Sequence, residues 1–172
     1  MTWLPAAAGE TPLERVLSTT PELYERFRDF AVHATTTDLV DPVLLELIRL
    51  RYAQMHDVAS ELQLRYQEAV GAGLTEEKIA ALEDYGSSDL FTERERDCLE
   101  FAEQISLDPH LVSEEHFARA GRDLTDEEML AFVYACTTLE GMARLRAILE
   151  VEPVFDGITV VAAPEPDRGA FY

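Results

Sequence analysis

The sequence predicts a nearly all-α, single-domain protein with an irregular C-terminal tail, and three observations carry that reading. Apolar residues recur at helical spacing over long stretches. Between them lie helix-start signatures of the Thr-x-x-Glu and X-Pro-Glu kinds. No Ser/Gly-rich linker and no repeat divides the chain, which at 172 residues is long enough for one sizeable core and short for two. The expected division is an N-terminal extension over 1–19, a helical domain over 20–150 and a tail over 151–172.

Taken in order, Thr20-Pro21-Glu22 places a cap and a first-turn proline ahead of a helix reaching about Phe30. Asp41-Pro42 repeats the signal and opens the longest periodic segment, with Leu44, Leu47, Ile48, Met55, Val58, Leu62 and Ala69 on its apolar face; Gly71 and Gly73 end it. Thr75-Glu76-Glu77 opens a short helix that stops near Gly86. Thr92-Glu93-Arg94-Glu95 and Thr125-Asp126-Glu127-Glu128 both fit the capping box, in which hydroxyl and carboxylate satisfy open amides reciprocally. Between them Ser113 caps a helix running toward Gly121, and the last helix runs from Asp126 to about Glu150. After Pro153, Ile158-Thr159-Val160-Val161 is β-prone, and Pro164, Pro166 and Gly169 interrupt regular structure before Phe171-Tyr172. A tail this apolar is expected to pack on its own or a neighbouring subunit.

Acidic residues outnumber basic ones 34 to 14, a net charge of −20. That surface repels phosphate backbones and argues against nucleic acid and anionic membranes as partners. No apolar run approaches the roughly 18 residues of a membrane span. The opening Met1-Thr2-Trp3-Leu4-Pro5 lacks the basic and apolar regions of a signal peptide, so a cytoplasmic protein is expected. Cys98 and Cys136 sit in apolar periodic stretches without a partner motif and read as buried free thiols. The chain has no HxxxH, HExxH or Cys/His cluster, no glycine-rich phosphate loop and no GxSxG elbow, so neither metal nor cofactor is expected.

The stretch Glu46-Leu47-Ile48-Arg49-Leu50-Arg51-Tyr52-Ala53-Gln54-Met55-His56 resembles the long-helix region of the carboxymuconolactone decarboxylase / alkylhydroperoxidase D-like superfamily. The similarity continues through Glu68-Ala69 and Gly71 to Ile79, and resumes at Leu90 to Arg96 and at Leu124 to Glu128, covering roughly residues 20–150. The resemblance implies an all-α array that assembles into trimers or hexamers, and a CxxC disulfide cycle in the peroxidase members. Those members carry a glutamate twelve positions before the first cysteine, a second cysteine three residues later and a histidine four after that. The glutamate falls on Glu46, whereas the cysteine positions fall on Val58 and Glu61 and the histidine position on Arg65. Asparagines that the family often places on its last helix are replaced by Glu140, Ala143 and Arg146, while Arg144 matches. A thiol peroxidase needs an attacking thiolate and a resolving thiol, and this site has neither.

The replaced site suggests different chemistry. On one unbroken helix Glu46 and Glu61 would lie about 22 Å apart, so convergence requires a break, with Asp57 as the expected new N-cap. Glu61 and Arg65 then fall at i and i+4, either as a surface salt bridge or as part of a polar pocket. In the pocket reading Glu46 and Glu61 are acid/base groups, His56 beside the break is a further general base, and Arg65 holds an anionic substrate group with Ser60 and Tyr52 as further contacts. The structural alternatives are a buried Glu46 paired to Arg49 or Arg144 and a turn His56 that hydrogen-bonds backbone. Three functions follow: a non-thiol lyase or isomerase acting on a small acidic or aromatic metabolite, a binding or scaffold protein without turnover, and a retained peroxidase. A buried, facing arrangement of Glu46, Glu61 and Arg65 around a cavity favours the first; a solvated Glu61–Arg65 pair over a filled core favours the second. A homo-oligomer (dimer, trimer or hexamer) is expected from the resemblance and from the apolar segment over 151–161.

Overall fold

Most helices begin where a side chain satisfies amides that the first turn leaves open. In the computed structural model, which describes Leu4 and residues 7–165 and 169–172, the order is α1 (Pro12–Leu17), α2 (Pro21–Thr35), α3 (Pro42–Met55), α4 (Ala59–Leu62), β1 (Leu64–Tyr66), α5 (Gln67–Gly71), α6 (Glu76–Ala80), α7 (Glu93–Leu107), α8 (Glu114–Ala120), α9 (Asp126–Leu149) and β2 (Thr159–Val161). Residues 1–3 and 5 of the opening pentapeptide and Pro166 lie outside the described residues. The expected boxes form at Thr92 and Thr125, Asp41 accepts from the amides of Val43 and Leu44, and Ser113 pairs with His116 in a third box. Thr20 makes no side-chain cap bond, so the first-turn Pro21 is the start signal there.

Helix α3 is the axis. Residues 44–50 are buried on every side, and the helix packs against both α7 and α9, with α2 on α9 and α8 on α7. Leu47, Ile48, Leu50, Leu99, Phe101 and Phe132 are among the side chains that fill the core between them. Because the burial leaves no wet face, Glu46 and Arg49 must find partners inside the protein.

The periodic segment that begins at Pro42 is not one helix. Val58 N–H bonds to Ala53 O (2.9 Å) and Asp57 N–H to Gln54 O (3.3 Å), the two bonds of a Schellman stop, with Asp57 left-handed at φ 54°. The break is therefore where the spacing of Glu46 and Glu61 demands it. The cap assignment differs: Asp57 turns the chain, and the N-cap of α4 is Val58, without a side-chain bond. An aspartate tolerates the left-handed region better than branched residues do, which suits it to the turn.

After one short turn the chain extends. β1 pairs in parallel with β2, aligning Leu64 with Thr159, Arg65 with Val160 and Tyr66 with Val161. The β-prone tail thus packs on its own chain, and this two-stranded ribbon is the exception to an otherwise helical fold. Farther along, Phe171 is buried in a second cluster with Leu13, Ala31, Val32 and Met142. Thr11 Oγ1 donates to Phe171 O (2.8 Å) and Phe171 N–H to Glu14 Oε1 (3.0 Å), so α1, within the stretch read as an extension, joins the tail to α2.

Candidate functional site

Between α2, α3 and α9, with the tail as one wall, lies a cavity of about 250 Å³. Its walls include Val40, Leu45, Leu139, Met142 and Phe171, and its lining also takes in four buried charges: Glu46, Arg49, Glu61 and Arg146. Arg49 Nε and Nη2 fork onto Glu46 at 2.8 and 2.7 Å. Arg49 Nη1 donates to the Glu61 carboxylate and to Glu61 O, and Nη2 also donates to Leu64 O (2.9 Å). All five guanidinium N–H groups of Arg49 are thereby used. Glu46 accepts additionally from Tyr66 N–H (3.0 Å), and the Arg49 guanidinium lies 4.9 Å from the Tyr66 ring centroid. On the far side of Glu61, Arg146 Nε stands 2.5 Å from Oε1 as an ion pair, while Arg146 Nη2 donates to the main-chain oxygen of Tyr172. The result is an alternating row: Glu46, Arg49, Glu61, Arg146.

The electrostatics follow from that order. Burial pushes the Glu61 carboxyl up, but the Arg146 and Arg49 guanidinia more than offset it and hold Glu61 below the usual carboxylate range. Burial disfavours the Arg49 cation, yet Glu46 and Glu61 keep it charged, well above the ordinary arginine value. Burial, then the Glu61 charge, raises the Tyr66 phenol, which stays protonated at neutral pH.

Of the residues singled out from sequence, Glu46 and Glu61 share the cavity; the other four do not line it. Arg65 does not pair with Glu61. It lies on a strand, where alternation sends its side chain to the face opposite Tyr66, and it forks onto Glu76 at 2.8 and 3.1 Å. Tyr52 is fully buried and donates its hydroxyl to Ala102 O (2.9 Å). Ser60 is buried, and its Oγ has no partner among the described residues. His56 meets Glu140 Oε2 (3.0 Å) and Ser106 Oγ (3.4 Å) through one nitrogen, Nε2, in a separate half-buried group with Arg144. Cys98 and Cys136 are free, buried and absent from the cavity lining; burial raises the Cys98 thiol to about 11 and drives Cys136 higher than an ordinary thiol too. Of the two arginines offered as a structural partner for Glu46, Arg49 is the one that pairs with it, and Arg144 pairs with Glu140 instead; Arg146 is the cation that the sequence did not bring to this site. A cation three residues after Glu46 on a helix apolar all round was the available signal for Arg49; Arg146 is distant in sequence and carried none.

The model of the carboxymuconolactone decarboxylase family matches residues 21–104, which include the cavity-lining part of α2, all of α3 and the break that delivers Glu61. That stretch, 84 of the 172 residues, is where the chain carries the family's pattern. Two solved structures are similar to this chain. One is an Agrobacterium tumefaciens protein of unknown function put forward as an antioxidant defence protein AhpD, with 18% identity and a TM-score of 0.68 over 81% of this chain and 95% of that one. The other is a Cys-to-Ala variant of the debrominase Bmp8 in complex with 2,3,4-tribromopyrrole, with 18% identity and a TM-score of 0.66 over 80% of this chain and 73% of that one. At these identities the likeness concerns the fold. No curated protein matches the sequence significantly.

Proposed function

We propose that this protein binds a small molecule with an apolar body in the α2–α3–α9 cavity and polarises it without thiol chemistry. The observation that carries the reading is the buried charge row on the cavity lining, in a chain whose residues at the family's two cysteine positions are Val58 and Glu61. Fixed, buried charges act on a molecule that displaces water beside them more strongly than they would in bulk water. The debrominase of the same fold holds a small brominated pyrrole, a ligand of the scale this cavity suits. The test is native mass spectrometry of the purified protein together with thermal-shift screening of small aromatic and acidic metabolites. A retained small-molecule adduct or a ligand-dependent rise in Tm supports the reading; a protein insensitive to the whole set, and free of any adduct, overturns it.

Proton-transfer catalysis of a lyase or isomerase kind is the second reading, favoured by the convergence of Glu46 and Glu61 on one cavity. Against it, Glu46 is tied to Arg49 and to Tyr66 N–H, and Glu61 is a weakened base because its carboxyl is held low. On a ligand found by the screen, Glu46→Gln protein that remains folded should lose about 10²–10⁴ in rate if Glu46 carries the proton. Unchanged turnover leaves Glu46 as the structural partner of Arg49.

Self-association belongs to the same proposal. Helix α9 leaves Leu130, Tyr134 and Ile148 exposed along its outer side, and Phe30 of α2 lies edge-on to Tyr134. The tail adds Ile158 and Val160, both more than half exposed. Light scattering should give a multiple of 19.3 kDa at micromolar concentration; the single-chain mass would refute it.

A further inference from the structure

Resting on the binding reading above, we propose that Arg146 is the head-group site of the cavity and that the ligand it receives is a monoanion, a carboxylate on an apolar or aromatic body. The argument starts from how the two cavity arginines spend their donors. Arg49 is exhausted: every N–H it owns is bonded to Glu46, Glu61 or Leu64. Arg146 is not. It faces Glu61 through Nε and the Tyr172 main chain through Nη2, and among the described residues no group hydrogen-bonds its Nη1. Its side chain is only 2% exposed, and the residue lines the cavity.

A buried guanidinium with open donors is costly unless something accepts from them. Position in the row sharpens the point. Glu61 is shared between two cations, and the other acceptor at Arg146 is the main-chain oxygen of Tyr172, so Nη1 is the unfilled position at the end of the row. An anion placed at Nη1 would extend the alternation by one member. The planar fork of arginine suits a carboxylate, and the open donors suit either one oxygen or two.

The apolar walls choose the rest of the molecule. Met142, Leu139, Leu45, Val40 and Phe171 surround the space beyond the charged floor, and Phe171 lies under the Arg146 guanidinium at 5.8 Å from its ring centroid. The exposed Asp38 and Glu68, which also line the cavity, and the −20 net charge work against a second negative charge on the ligand. One anionic group and an apolar body fit; a dianion such as a phosphate monoester does not.

Three probes of like size separate the possibilities: benzoate, its neutral isostere benzamide, and toluene. Binding is measured by saturation-transfer NMR and titration calorimetry on the full chain, with the Glu61 and Arg49 partners intact. Benzoate should bind about ten- to a hundredfold more tightly than benzamide, the size of one charge-assisted hydrogen-bonding site. Arg146→Met should erase that preference while leaving toluene binding in place, and Arg146→Lys should retain part of it. Arg122→Ser, on an exposed arginine distant from the cavity lining, should change nothing. Should Arg146→Met not fold, the wild-type ratio and Arg146→Lys still decide. Equal binding of benzoate and benzamide, or a benzoate preference that survives Arg146→Met, overturns the head-group assignment and leaves the binding reading standing. Failure of all three probes to bind overturns the head-group assignment; the binding reading falls with it when the metabolite screen and the search for a retained adduct are also blank.

Discussion

Arg49→Met should destabilise the protein by about 3–5 kcal/mol, the usual cost of stranding one side of a buried ion pair. Native proteins hold only about 5–15 kcal/mol in total, so the variant should be partly unfolded at moderate temperature. The size of the effect follows from the number of groups left behind. Without Arg49, Glu46 keeps only Tyr66 N–H, the Glu61 carboxylate keeps only Arg146, the main-chain oxygen of Glu61 loses its Arg49 donor, and Leu64 O is left with Arg65 Nη1. Methionine fills the space but accepts none of these tasks. The double variant Glu46→Met/Arg49→Met removes a charge of each sign and should be more stable than Arg49→Met alone, because two apolar side chains leave fewer orphaned charges than one. Urea unfolding followed by circular dichroism measures both. A single variant within 1 kcal/mol of wild type, in a denaturation that resolves about that difference, would contradict the charge row as a buried network.

Acid should unfold the protein from the same place. The Glu61 carboxyl sits lower in the folded chain than the roughly 4.3 of a free glutamate, so the unfolded chain binds that proton first as pH falls. Stability from Glu61 is complete above that unfolded value and is lost as pH drops through the folded one. Each such carboxyl contributes a slope of at most about 1.4 kcal/mol per pH unit. Glu140 adds to it: burial raises its carboxyl, but hydrogen bonds from Arg144, Ser106 and His56 hold it low. Glu61→Gln should therefore lower stability at pH 7 and flatten, without abolishing, the acid limb between pH 5 and 3. Urea midpoints across that range read both effects. An acid limb of unchanged steepness in Glu61→Gln would assign the acid sensitivity to other carboxylates.

The parts of this fold that were legible in the sequence are those fixed by neighbours three or four residues away. Thr92, Ser113 and Thr125 announce their helices because the cap and the amide it serves are local. Thr11-Pro12-Leu13-Glu14 carries the same signature, and the reading that leaves 1–19 without a helix passes over it. The break after His56 was legible as a necessity of spacing, but its cap was not, because an aspartate serves equally as N-cap or as a left-handed turn residue. The Glu61–Arg65 pair fails for a different reason. Helical periodicity was extended across residues that form a strand, and the strand exists because residues 159–161 pair with it from the other end of the chain. Arg146 reaches Glu61 only through the packing of α9 on α3, which no local pattern encodes.

The parallel ribbon and the burial of Phe171 bear on the order in which the protein assembles. Parallel strands need a crossover, and here the connection between β1 and β2 spans α5 to α9. Contacts of such sequence separation close late, after the local helices, because the loop entropy must be met before the pairing returns anything. Residues 159–172 are also the last part of this sequence to leave a ribosome. A nascent chain can therefore hold α3, α7 and α9 together while one cavity wall is still missing and Arg146 still lacks its Tyr172 acceptor. Ligand competence, on this topology, comes at the end of folding, and a nick between β2 and α9 would cost the site before it cost the helical core.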